Sequence, residues 1–247
     1  MKKQLFRMAL IAGVALCAGS TFAATNWTLG NANAPVETAW HASSNTGTIA
    51  KGTINGYSGG VGVAYSGEST SAPQHALDNS GRYESVLLDF GADAVRLTSV
   101  SLGYYSNDSD IFVLAYTGLT PFAGSLAGAT YQSLLSSGWT LVGNQSNVGV
   151  GTTTLATPDN LYSSFWLIGA GGFASGVGVT SGDKKSDGTW RDFGTTYGKY
   201  DYVKVSSVGG TTYTPPPSGS VPEPGSLALA GIGLMGLIGI RRRRAAA

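Results

Sequence analysis

Cysteine and histidine are almost missing from this 247-residue chain: it has one cysteine, Cys17, and two histidines, His41 and His75. Cys17 falls in the first apolar run, so the polypeptide beyond that run can build neither a disulfide nor a thiolate metal site. A small exported domain without such staples would be marginal, but about 200 residues can rely on their own core. The two histidines lie far apart, and their spacing suggests no zinc centre. Charge is also scarce, at 12% of residues, and the formal balance of +1 hides a segregation. Three of the fifteen basic residues precede residue 8 and four stand at 241–244, leaving eight against thirteen acids before Glu223. A central region near −5 disfavours a phosphate-backbone partner, and no nucleic-acid role is expected.

Apolar runs that lack charge sit near the two ends. Lys2, Lys3 and Arg7 precede an apolar stretch over 8–18, followed by Ser20, Thr21, Phe22 and Ala23. A basic region, an apolar region and a small-residue exit predict a signal peptide over 1–23, passed by the Sec translocon and cut by signal peptidase between Ala23 and Ala24. Leu16 before Cys17 argues against a lipoprotein signal. The second run, 226–240, carries no charge and precedes Arg241, Arg242, Arg243 and Arg244. As a helix of about 15 residues it would span about 23 Å, short of a ~30 Å hydrocarbon core but within reach of a thin or locally thinned bilayer. A single transmembrane helix over 226–240 is therefore expected, with the arginines cytoplasmic and everything between the two runs exported.

Immediately before that run stand Val221, Pro222, Glu223 and Pro224. The prolines hold the backbone extended and keep a following helix from running back into them. Pro-Glu-Pro, an apolar run and an arginine cluster, in that order, resemble the PEP-CTERM sorting signal of Gram-negative bacteria, over about a tenth of the chain. The resemblance implies an exosortase as processing partner, a transient stay in the inner membrane, and delivery to the cell surface or the extracellular matrix. Residues 78–118 (DNSGRYESVLLDFG…LTSVSLGYYSNDSDIFVLAYTG) are similar to exosortase-dependent surface proteins, a PEP-CTERM subgroup; that likeness implies no catalytic residues.

Between the ends, short strand patterns dominate. Residues 84–90, 95–104 and 111–116 are the clearest, with further candidates at 61–65, 139–142, 164–168 and 200–205. In 95–104 the apolar parity changes midway, from Val95 and Leu97 to Val100, Leu102 and Tyr104; a bulge near Thr98-Ser99 or burial on both faces would produce that switch. One short helix is expected within 121–136. Many short strands and polar turns predict an all-β fold, an antiparallel, jelly-roll-like β-sandwich. The expected organisation is a signal peptide over 1–23, the sandwich over 24–210, a stiff Thr/Pro/Ser linker over 211–220 and the sorting signal over 221–247.

Candidate chemistry is thin. Gly56-Tyr57-Ser58-Gly59-Gly60 matches G-x-S-x-G, but glycine and β-type residues follow it where a nucleophile elbow needs a helix. Gly169-Ala170-Gly171-Gly172-Phe173-Ala174 matches a dinucleotide fingerprint without the surrounding βαβ unit. Both are read as turns, and no catalytic residue is expected. Asp108 and Asp110, in Asn107-Asp108-Ser109-Asp110, could supply hard oxygen ligands to calcium, more so if Asp78 or Asp89 folds beside them; Asn and Asp are equally the usual turn formers. Trp166 is expected in the core. Trp190, in the polar stretch DGTWRDFGTTYGKY, is the candidate carbohydrate contact. The expected role is a non-enzymatic surface or matrix protein, with a carbohydrate-binding module retained in exopolysaccharide as the alternative.

Overall fold

The computed structural model describes residues 24–69, 73, 75–180 and 200–214. Compact units divide at residue 212, into Met1–Thr212 and Tyr213–Ala247, and all the strands described fall in the first. In chain order these are β1 (Thr25–Thr28), β2 (Val36–Ala42), β3 (Ala50–Lys51), β4 (Thr53–Tyr57), β5 (Gly60–Ala64), β6 (Leu77–Asp78), β7 (Tyr83–Asp89), β8 (Val95–Asn107) and β9 (Ile111–Tyr116). A 3-10 helix, Tyr131–Ser137, comes next. It is followed by β10 (Trp139–Gln145), β11 (Gly151–Thr154), β12 (Phe165–Ala170), β13 (Gly172–Ala174), β14 (Gly178–Thr180) and β15 (Asp201–Thr212).

The strands form two antiparallel sheets and a hairpin. One sheet runs β11-β8-β15-β5-β4, with β1 and β6 also paired to β15; the other runs β10-β9-β12-β7-β2-β3; β13 and β14 pair with each other. The expected all-β, antiparallel class is what the chain adopts. Facing side chains of the two sheets share one core, in which Leu97, Val100, Leu102, Val203 and Val205 cluster with Val86, Leu88, Val113, Trp166 and Ile168. Alternate residues of the second sheet face the other way. Trp40, Tyr83, Leu87, Phe112, Leu114 and Leu167 pack beneath Tyr131 and Leu134 of the 3-10 helix and Phe173 and Val179 of the β13–β14 hairpin. Apolar burial on both faces is why β7, β9 and β12 read as continuous hydrophobic runs. Each fully buried Leu, Ile, Val or Phe contributes roughly 1.5–3 kcal/mol.

The parity switch in β8 is a bulge. Along the β8–β15 ladder Gly209 pairs with Ser99 and Gly210 with Leu97, so Thr98 is the extra residue. Val95 and Leu97 on one side of it, and Val100 and Leu102 on the other, thereby enter the same core.

The short helix expected within 121–136 is a 3-10 segment confined to Tyr131–Ser137. Gly124 and Gly128 take left-handed φ of 72° and 88°, which breaks any helix before Thr130. Thr130 then caps the short helix in reciprocal bonds with Ser133, and Gly138, at φ 93°, closes it on the Leu134 carbonyl. Inside it, the Ser133, Ser136 and Ser137 hydroxyls donate to backbone carbonyls at 130 and 133, which competes with regular helix. At the far end of the body, Thr211 and Thr212, expected to open the linker, are strand residues paired with Arg96 and Val95.

Candidate functional site

The turn that joins β8 to β9 brings acids together from distant parts of the chain. Asn107 ends β8 at φ 62°, a left-handed conformation that asparagine tolerates. Asp108 and Asp110 follow, and Asp201 opens β15 opposite Asn107. All three acids are buried, and one carboxylate oxygen from each lies within 4.8 Å of the others. Asp78 and Asn79 arrive from β6, which pairs with β15 through Asp78 and Tyr202.

This first triad is threaded with donors, although Asp110 Oδ2 is buried without a hydrogen bond. Asp201 Oδ1 accepts the Asp110 amide at 2.7 Å, and its Oδ2 accepts Asn79 Nδ2 at 2.7 Å; the Asp201 amide donates back to Asn79 Oδ1 at 2.9 Å. Asp110 Oδ1 accepts the Asn147 amide at 2.6 Å, and Asp108 Oδ1 the Ser109 amide at 2.9 Å. Gly171 is confined to glycine by this network, since its φ is 88° and a Cβ there would overlap the Thr180 carbonyl and crowd Asn79 Nδ2. Burial, then repulsion from Asp110, pushes the Asp201 carboxyl well above the usual range.

A second triad, which the sequence did not single out, is built from Glu68, Asp78 and Glu84. Again one oxygen from each lies within 4.8 Å of the others. Glu68 follows β5 and is half-buried, whereas Asp78 in β6 and Glu84 in β7 are 2% and 1% exposed. Asp78 Oδ1 accepts the Ser80 amide at 2.8 Å, Glu84 Oε2 the Asp78 amide at 3.2 Å, and Glu68 Oε2 the Tyr65 amide at 3.2 Å. Asp78 Oδ2 and Glu84 Oε1 are buried with no hydrogen-bond partner. Burial, with Glu68 adding repulsion, raises the Asp78 carboxyl to about 7. Glu84 is pushed well above its ordinary value by burial, then by Asp78 and Glu68, with Arg82 pulling the other way. The turn signal Asn79-Ser80-Gly81 between Asp78 and Glu84 was legible, but which way the two carboxylates point was not.

The other expected residues disperse. Asp89 ends β7 away from Glu84 and accepts the Gly91 amide at 2.7 Å, so it belongs to neither triad. Tyr57 pairs with Gly60, which leaves Ser58 in a two-residue hairpin turn between β4 and β5. The ≈ 570 Å³ cleft it lines with Thr28, Asn31, Tyr57 and Ser206 has no carboxylate or imidazole among its lining residues. Gly169–Ala174 runs from β12 through Gly171 into β13, strand to strand. His41 lies 3.4 Å from Arg82 through Nδ1, while His75 adopts φ 67° beside Glu68. Trp166 is fully buried, its Nε1 donating to the Val95 and Ser163 carbonyls at 3.2 and 3.0 Å. Trp139 is buried against Tyr116 and Phe122.

Trp190 lies outside the described residues, as do Ala23 and the apolar segments over 8–18 and 226–240; Ala24 is described and exposed. Among the described residues no helix is long and apolar enough to cross a membrane. The sorting-signal residues Val221, Pro222, Glu223, Pro224, Arg241, Arg242, Arg243 and Arg244 are also outside the described part. No curated protein and no solved structure matches the chain. Residues 220–244 match the family model of the PEP-CTERM protein-sorting motif, which is an address for exosortase-targeted export to the cell surface. The chain thus carries a PEP-CTERM sorting signal at residues 220–244.

Proposed function

We propose that this protein is an exosortase-processed component of the cell surface or the extracellular, exopolysaccharide-rich matrix, with a structural and non-enzymatic role. The resemblance of residues 78–118 to exosortase-dependent surface proteins supports the reading. The observation that carries the reading is the motif over 220–244, in which a Pro-Glu-Pro segment precedes an apolar run and four arginines. A proline-stiffened segment offers a processing enzyme an extended backbone with fewer competing internal hydrogen bonds. The apolar run tethers the chain in the inner membrane until that cut is made, with the arginines held at the cytoplasmic side. Sec export and signal peptidase cleavage after Ala23 deliver the jelly-roll-like body to the far side.

A structural role for the body is supported by what its residues are spent on. The G-x-S-x-G match is a hairpin turn, and the fingerprint-like glycines join two strands. The polar groups buried at the acidic end bond chiefly to strand ends and turns, which holds both sheets together there.

The test is the mature C-terminus. Made in its own host, the protein is expected to lose the residues beyond the Pro-Glu-Pro segment when the exosortase is present and to keep them when its gene is deleted, read by mass spectrometry of surface and membrane fractions. A full-length chain retained in the cytosol of the exosortase-positive host would overturn the proposal.

A further inference from the structure

We infer that Glu68, Asp78 and Glu84 form a binding site for a hard divalent cation, calcium before magnesium, at the end of the body where β5, β6 and β7 meet. Three carboxylates from three separate segments bring one oxygen each within 4.8 Å of the others. That span fits inside a calcium sphere, whose ligands stand about 2.3–2.6 Å from the ion on opposite sides. Proximity of acids alone would not carry the assignment. What does is the pair of orphaned atoms: Asp78 Oδ2 and Glu84 Oε1 are buried in residues 2% and 1% exposed, and neither has a hydrogen-bond partner.

A native fold leaves few such groups, because an unmet buried acceptor costs about 1–3 kcal/mol and a charged one more. The surrounding side chains do not relieve them. Arg82 stacks over the Tyr65 ring at 4.4 Å and reaches His41, and among the described residues it forms no salt bridge with any of the three acids. His75 stands beside Glu68, and Tyr202 faces Asp78, but neither donates to the orphaned oxygens. The competing occupant is a proton. One proton removes a single charge, whereas a divalent cation removes two and gives every member of the triad a ligand bond.

The remaining ligands of a calcium sphere come from water, for which half-buried Glu68 marks the entry side. Calcium is favoured over magnesium because Mg²⁺ gives up its water reluctantly and demands near-ideal octahedral geometry. The site ties the segment after β5 to β6 and β7, so occupancy is expected to stiffen one end of both sheets. Cation binding here is independent of how the C-terminus is processed.

The experiment uses the full-length chain purified in detergent and stripped with a chelator, at about pH 8, where protons compete least. Calcium chloride titrated to about 10 mM covers the roughly 10⁻⁴–10⁻³ M affinities of extracellular calcium modules. Calorimetric binding and a Tm rise of roughly 3–10 °C are expected, with a smaller rise in magnesium. Glu84→Gln and Asp78→Asn, near-isosteric and uncharged, should abolish both signals while the apo forms melt close to or above the apo wild type. Asp110→Asn, in the neighbouring triad, should leave them intact. Terbium emission sensitised by the tyrosines offers a readout that does not depend on melting, and it should vanish in Glu84→Gln and persist in Asp110→Asn. No heat and no Tm shift with either cation would overturn the site. So would signals that survive Glu84→Gln and Asp78→Asn, or that disappear only in Asp110→Asn.

Discussion

Two carboxylate triads lie at the same end of the body, one residue apart in sequence through Asp78 and Asn79, and they solve burial differently. In the Asp108–Asp110–Asp201 triad the protein supplies most of the donors: both Asp201 oxygens are met, by the Asn79 side chain and the Asp110 amide, and Asp110 Oδ1 by the Asn147 amide, while Asp110 Oδ2 is buried without a hydrogen bond. In the Glu68–Asp78–Glu84 triad only part of the need is met, and an oxygen of Asp78 and one of Glu84 remain orphaned. Through Asp201 the first triad acts as a clamp made largely of the chain's own groups. It fastens the start of β15 to the β8–β9 turn and to the segment after β6. The second is incomplete without something from solution. Acid count, spacing and burial are much alike in the two, so none of these predicts ligand binding; they differ in degree of hydrogen-bond satisfaction, with two oxygens lacking a hydrogen bond, Asp78 Oδ2 and Glu84 Oε1, in the second and one, Asp110 Oδ2, in the first.

The largest effect expected from breaking this contrast is at Asp201. Asp201→Ala leaves Asn79 Nδ2 and the Asp110 amide buried without their acceptor, a loss of about 3–5 kcal/mol. Glu84→Gln, by comparison, removes one of three mutually repelling charges and only one hydrogen-bond acceptor for a backbone amide. In calcium-free buffer it should change stability by less than about 1 kcal/mol, or raise it. Chemical denaturation of the two variants side by side measures the difference, and equal losses would erase the distinction between the triads.

The next effect is pH dependence, which both triads share when no cation is present. Asp78 is raised to about 7, and Glu84 and Asp201 well above their ordinary values, chiefly by burial. A carboxyl raised in the folded state holds a proton that the unfolded chain has already released. Its contribution is thus complete below the unfolded value, near 4, and is lost as pH rises toward the folded one. Stability of the chelator-treated protein should fall by on the order of 2–4 kcal/mol between about pH 5 and pH 8. Calcium should flatten that decline in the wild type and leave it untouched in Asp78→Asn, monitored by thermal melts across the pH series.

A backbone change sharpens the comparison further. Gly62 sits in β5 where a Cβ would overlap the His75 carbonyl, and the neighbouring Val63 amide donates to the Ala76 carbonyl at 3.3 Å. Gly62→Ala should push the segment leading to Asp78 outward, at a cost of about 1–3 kcal/mol. The calcium-linked rise in Tm should shrink with it. The Asp201 clamp takes its other contacts from Asp110, so the variant should still melt in one cooperative transition.

How much of this was legible beforehand depended on whether the information was local. The apolar runs of β7, β9 and β12 and the parity switch in β8 could be read from the sequence because each is a pattern within a few residues, although a bulge at Thr98 and burial on both faces would have produced the same switch. Strands β1, β4 and β11 escaped, since TNWT, TINGY and GTTT are polar, mostly exposed edge or near-edge segments with no hydrophobic period. Asp108 and Asp110 were visible as a dense turn, but Asp201 joins them only through the register of β8 on β15. That ladder shifts register three times, so the pairing of Asp201 with Asn107 cannot be counted out from either strand alone. The second triad was hidden for the same reason: Asp78 and Glu84 share a turn, yet Glu68 arrives from another segment, and orphaned oxygens have no sequence signature. The C-terminal sorting motif was the reverse case, fully local, and the match over 220–244 rests on residue order alone.

The smallest expected effect is at the opposite extreme of solvation. Arg96 and Asp159 form an ion pair of 2.6 Å, with Asp159 97% exposed. Arg96 also donates to the Thr157 and Pro158 carbonyls, so it stays anchored when its charged partner is removed. Water replaces the lost contact on both sides, and salt screens what attraction there was. Asp159→Asn should therefore move stability by less than about 0.5 kcal/mol and leave the calcium response unchanged. The same loss of one carboxylate charge is thus expected to be nearly silent here, to abolish cation binding at Glu84 and, when the acceptors go with it, to unfasten a strand at Asp201. Denaturation curves for the three variants would rank them, and a large loss at Asp159 would show that charge removal itself, rather than burial and hydrogen-bond satisfaction, sets the scale.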